Sequence, residues 1–122
     1  MPGAPPASYL RGRVQLNRVF PVAGSAWAMA LRRELEAVPG LVETTSRFGP
    51  AGRVAWRVGQ LEVAHLHAPP FVDIRLPGSA RKAVAGDPRL LPRAGRSEWI
   101  ECRMETPADA VFVATLIRRA AE

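Results

Sequence analysis

From Leu41 to Leu76 apolar and polar residues alternate with a period of two, and turn formers cut the run into short pieces. Successive side chains of a strand point to opposite faces, so this period marks strands with one buried face. "VETTSRF" is β-branched and bounded by "GPAG". "RVAWRV" puts Val54, Trp56 and Val58 on one face and Arg53, Ala55 and Arg57 on the other. "GQ" at 59–60 predicts a two-residue hairpin turn into "LEVAHLH". The double proline of "APP" closes that strand, and "FVDIRL" forms the next. Four strands with such short connections predict an antiparallel meander.

Helical signals flank the strands. Ser25 is a candidate N-cap for a helix whose stripe is Trp27, Leu31, Leu35 and Val38, stopped by "PG" at 39–40. Ser79 is the candidate cap of a short helix over "ARKAVAGD". "PRLLPRAGR" carries too much Pro and Gly for regular structure and reads as loop. "EWIECRM" returns as a strand with Ile100, Cys102 and Met104 inward. Thr106, Pro107 and Asp109 then open a closing helix whose buried face is Val113, Leu116, Ile117 and Ala120. The expected fold is α+β: an antiparallel meander of about five strands, with an N-terminal and a C-terminal helix on one face.

The 122 residues fit one domain, expected over 23–122, behind a Pro- and Arg-rich arm over 1–22. The arm's "RVQLNRVF" alternates like a strand, which makes it a candidate for docking on a sheet edge or for joining two copies into a homodimer. With 48% hydrophobic and 23% charged residues the composition is that of a globular protein. Charges interrupt every apolar run, so no membrane span is expected. The start lacks a signal-peptide layout, and the single Cys102 cannot form an internal disulfide, so the expected location is cytoplasmic. Cys102 reads as a small buried hydrophobe rather than a nucleophile.

The net charge is +6, and Lys82 is the only lysine among seventeen basic residues. Basic residues gather at 1–33 and 75–96. Those segments could meet nucleic-acid phosphates. Their wealth of Pro, Gly and Ala fits a solvated arm and loop better, so nucleic acid is the lesser alternative.

Chemistry concentrates in "EVAHLHAPPFVDIRLP", residues 62–77. By alternation His65 and His67 share a face, and Asp73 and Arg75 share a face. Whether the two pairs meet depends on a register that a one-residue slip would invert. Three readings compete. An acid–base or ligand pocket would use a histidine, a carboxylate to orient it, and Arg75 for a ligand carboxylate or phosphate. A metal site would join His65, His67 and Asp73 around zinc or iron. In the third reading the histidines are merely solvated or bonded to backbone, and Asp73 and Arg75 are a cross-strand pair. Trp99, opposite the Ile100 face, is the tryptophan placed to border a pocket.

With these residues in view, "RFGPAGRVAWRVGQLEVAHLHAPPFVDIRLP" and "SEWIECRMETPADAVFVATLIRRA" together resemble the small luciferase-domain family of bacterial and fungal proteins. Its pattern runs from a Phe-Gly turn to E-x-G-H-x-H, then a hydrophobic-Asp-hydrophobic strand, a Gly-Trp strand and a closing helix. The resemblance places Glu62, His65, His67, Asp73 and Trp99 at signature positions and favours the pocket reading; with Arg75 from the strand pattern, the catalytic candidates are His65, His67 and Asp73 and the ligand-binding candidates Glu62, Arg75 and Trp99. It supplies no reaction. Ala64 and Glu98 stand where the family usually has glycine, and "LLPRAGR" lacks the histidine that many members carry there. The layout is also similar to that of double-winged domains, some of them DNA-binding. The ligand expected is a small polar or anionic molecule.

Overall fold

A computed structural model describes residues 25–49, 52–68, 70–92 and 98–122. The expected arm, its docking on a sheet edge and its role in dimerisation lie outside these residues. The elements run α1 (Ser25–Leu35), β1 (Leu41–Thr45), β2 (Val54–Val58), β3 (Leu61–Leu66), β4 (Phe71–Arg75), α2 (Gly78–Ala83), β5 (Leu90–Pro92), β6 (Trp99–Arg103) and α3 (Pro107–Ala120). The strands form one open sheet in the order β1-β2-β3-β4-β6-β5, with every neighbouring pair antiparallel. The α+β expectation holds, with six strands and three helices among the described residues.

Local chemistry explains most boundaries. Gly59, at φ +58°, takes the first central position of the β2–β3 hairpin, where a side chain would be strained. Thr106 caps α3 with a reciprocal pair of bonds: its hydroxyl accepts from the Asp109 N–H, and the Asp109 carboxylate accepts from the Thr106 N–H.

Three expectations change. The segment read as loop contains β5, because a three-residue edge strand tolerates Pro92 where an inner strand would not. Leu90, packed against the core, holds that edge in place. Ser79 does not cap α2; Pro77 occupies the N-cap with no side-chain bond. The strand read through Phe48 stops at Thr45, and Ser46 to Gly49 turn away from the sheet plane.

The core lies on one face of the sheet. Val72, Ile74, Ile100 and Cys102 of the inner strands join Val113, Leu116 and Ile117 of α3 and Leu31 and Leu35 of α1, all buried. Burial of the Cys102 thiol pushes its pKa up to about 12, which suits a packed side chain and not a nucleophile. A bidentate pair from Arg32 to Glu43 fastens α1 to the β1 edge. The opposite face of the sheet carries the chemistry.

Candidate functional site

In a regular strand Glu62 and His65, three residues apart, would face opposite sides. Here the β2–β3 register slips: Trp56 pairs Ala64 and Arg57 pairs Glu62, leaving Val63 as an extra residue on β3. This β-bulge reverses the alternation and turns Glu62 onto the His65 face. Val63 and Ala64 both enter the core cluster as a result. Plain alternation along "LEVAHLH" puts Val63 on the His65 face, and the bulge separates the two. The Ala64 methyl lies in the core cluster, on the face opposite His65.

The β3–β4 register answers the question the sequence left open. His65 lies directly opposite Asp73. The His65 Nε2 is 2.9 Å from Asp73 Oδ2, and its Nδ1 is 2.9 Å from Glu62 Oε2. Two hydrogen bonds to two carboxyl groups need two protons shared among the three groups. Glu62 is anchored in turn by the Ser46 hydroxyl, which donates to Oε2 at 2.7 Å, and by the Arg47 backbone N–H, which donates to Oε1 at 2.8 Å. Those two donors come from the turn that was read as strand. Glu62, His65 and Asp73 are 5%, 5% and 2% exposed, and among the described residues they are the buried polar side chains, cysteine aside. All three therefore fall into one network, which is how buried charge is tolerated.

Aromatic rings roof this network. The Trp99 ring centroid is 4.8 Å from that of His65, and Phe48 stands 5.5 Å from Trp99 and 6.0 Å from His65. Gly49, at φ +70°, makes the reversal that leaves Phe48 there. Arg75 pairs Trp99 in register, lays its guanidinium 4.8 Å from the Trp99 ring centre, and donates from Nε to the Glu62 carbonyl at 3.2 Å. Its other charged neighbour is the exposed Glu98, at 3.6 Å.

Five of the six sequence candidates thus meet: Glu62, His65, Asp73, Arg75 and Trp99. His67 does not join them. It lies just past the end of β3, bonded through its backbone to Phe71 at the start of β4, and its Nδ1 approaches Glu101 of β6 at 3.3 Å. Reasoning from sequence missed Ser46, Arg47, Phe48 and Glu101. The Phe-Gly turn was visible for the first three. Glu101 alternates with Ile100 and Cys102, but nothing in the chain order announces that β6 lies beside β4.

Among the described residues no group of three or more His, Cys, Asp or Glu side chains is arranged to hold a metal ion. The zinc or iron reading used His65, whose two nitrogens each face a carboxylate oxygen at 2.9 Å. Among the described residues no helix is long and apolar enough to cross a membrane. Of the basic residues read as phosphate contacts, Arg89 is held by Asp87 and Asp109 and lies over the Phe112 ring.

Comparison with curated proteins and with solved structures found no match. A family model, the Luciferase domain, matches residues 60–120, the stretch that runs from the histidine strand through the closing helix. This match covers half of the sequence and contains every site residue except those of the Ser46–Phe48 turn, so the chain belongs to the Luciferase domain family.

Proposed function

We propose that the open face of the sheet binds a small anionic ligand at the corner formed by Arg75, Trp99 and Phe48, above the Glu62–His65–Asp73 network. The observation that carries this reading is the state of Arg75. Its Nε is tied to the Glu62 carbonyl and its plane rests near Trp99, so the guanidinium is held in place. Among the described residues, the ionic partner of its terminal nitrogens is the exposed Glu98, at 3.6 Å, an ion-pair rather than a hydrogen-bond distance. A guanidinium fixed in this way suits bidentate recognition of a carboxylate or phosphate. Phe48, 43% exposed beside Trp99, offers an apolar surface for the rest of such a ligand. The buried network serves as a rigid base that sets the positions of Trp99 and of the Phe48 turn.

The test is a titration of isotope-labelled protein with inorganic phosphate, citrate and adenosine monophosphate at millimolar concentration, followed by NMR. At least one should shift the Arg75 Nε–H and Trp99 indole signals together in a saturable way, and Arg75→Met should abolish the response. Absence of any shift at those two groups, or shifts that survive Arg75→Met, would remove the anion reading.

A further inference from the structure

We infer that His67 and Glu101 form a second functional pair on the same face, in which Glu101 orients His67 so that Nε2 gives and takes protons. The pair stands apart from Arg75: His67 is bonded to Phe71, and Phe71 is four residues, about 13 Å by strand rise, from Arg75. It rests on different observations from the anion site and does not depend on it.

The two histidines occupy opposite situations. The His65 ring is 6% exposed and both its nitrogens face carboxylates, so neither is open to a ligand. The His67 side chain is 32% exposed. Its Nδ1 is nonetheless buried, so the accessible part is the remainder of the ring. Glu101 Oε2 lies 3.3 Å from that buried nitrogen, off the line of a good hydrogen bond. A modest turn of the ring or carboxylate completes the bond, as happens in many acid–base pairs once a ligand is present. Among the described residues no partner occupies Nε2.

The chemistry follows from these placements. A buried Nδ1 whose nearest acceptor is a carboxylate keeps its proton, which fixes the tautomer and leaves the lone pair on Nε2. A substrate O–H or N–H at the open face gives its proton to Nε2, and Glu101 balances the charge of the resulting imidazolium. The reverse transfer returns the proton to a product oxygen or nitrogen. Asp73, opposite Glu101 in the β4–β6 register, is the other acid close to the pair, and it is already committed to His65. Arg103, opposite Phe71, has Glu105 as its ionic partner at 3.9 Å.

Two measurements without a substrate test the pair. Nitrogen-15 NMR of the imidazoles at neutral pH should show His67 with the proton on Nδ1 and a bare Nε2, the reverse of the tautomer favoured by free histidine. Glu101→Ala should return His67 to the common tautomer, while Glu101→Gln, whose amide oxygen still accepts, should preserve it. Diethyl pyrocarbonate, which acylates an accessible bare imidazole nitrogen, should modify His67 and spare His65. Unchanged His65 signals in both variants report that the fold is intact. A His67 that carries its proton on Nε2 in the parent protein, or a tautomer indifferent to Glu101→Ala, overturns the inference. Equal labelling of both histidines does the same.

Discussion

On the helix-covered face of the sheet, Val72, Ile74, Ile100 and Cys102 meet α3 and α1 in a continuous apolar cluster. One residue along the same strands, on the opposite face, stand Asp73, Arg75, Trp99 and Glu101. The two sets occupy neighbouring positions of one backbone, yet the physics holding them differs. The first face is stabilised by area removed from water, which is non-directional and tolerates exchange of similar shapes. The second holds its buried members through directed bonds, three ionisable groups deep, and tolerates no missing partner. A bulge at Val63 is what allows both faces to be built, since it sends two consecutive residues to the core and recovers Glu62 for the polar side.

The sharpest contrast comes from single deletions on each face. His65→Ala leaves Glu62 and Asp73 buried without their shared partner and should cost about 3–5 kcal/mol, read from urea unfolding. Replacing all three by apolar residues of similar size should recover most of that loss. Ile74→Ala, on the core face opposite Ala64, should cost roughly 2–5 kcal/mol through lost burial and a residual cavity. If the triple replacement is as damaging as the single one, the network is more than a set of mutually compensating charges.

Smaller effects probe the closing helix. Thr106→Ala removes one half of the reciprocal cap and should cost about 1 kcal/mol in the same assay. A pH effect should accompany it at the other side of the cap. Hydrogen bonds from Arg89 hold the Asp87 carboxyl down to about 2. At Asp109 burial opposes ionisation, but bonds from the Glu105 N–H, Arg89 and Thr106 outweigh it and keep the carboxyl below its usual range. A carboxyl depressed on folding stabilises the protein above its unfolded pKa, and that contribution fades as pH falls toward the folded value. Stability should therefore decline between about pH 4 and pH 2, and Arg89→Met should flatten that part of the profile. The smallest effect should be Val42→Thr, at an exposed position of the edge strand, within about 0.5 kcal/mol of the parent.

What the sequence revealed follows the same division. Periodicity disclosed the core face, because burial leaves a repeated mark: Ile100, Cys102 and Met104 and the α3 stripe of Val113, Leu116 and Ile117 lie where their spacing predicts. Alternation likewise put Asp73 with Arg75 and set Trp99 opposite Ile100. It failed at Glu62, because nothing in "LEVAHLH" announces that Val63 will be passed over by the β2 register. It failed for His65 and His67 as a pair because alternation gives a shared face, not shared neighbours. Pairing with Asp73 on β4 and with Glu101 on β6 separated them. Phe48 was misread for another reason: the Phe-Gly turn was visible, but "VETTSRF" has strand composition throughout, and the Ser46 and Arg47 bonds to Glu62 are tertiary.

The central claim is that His65 is clamped between two carboxylates on the face away from the core. Nitrogen-15 NMR of its ring at neutral pH tests this most directly, with the slow exchange of its N–H protons as a second reading. The account predicts protons on both nitrogens, each coupled across a hydrogen bond to Glu62 or Asp73 and slow to exchange, with Asp73→Asn altering Nε2 far more than Nδ1. A ring that exchanges both protons rapidly with water, or that responds to neither carboxylate substitution, would contradict it.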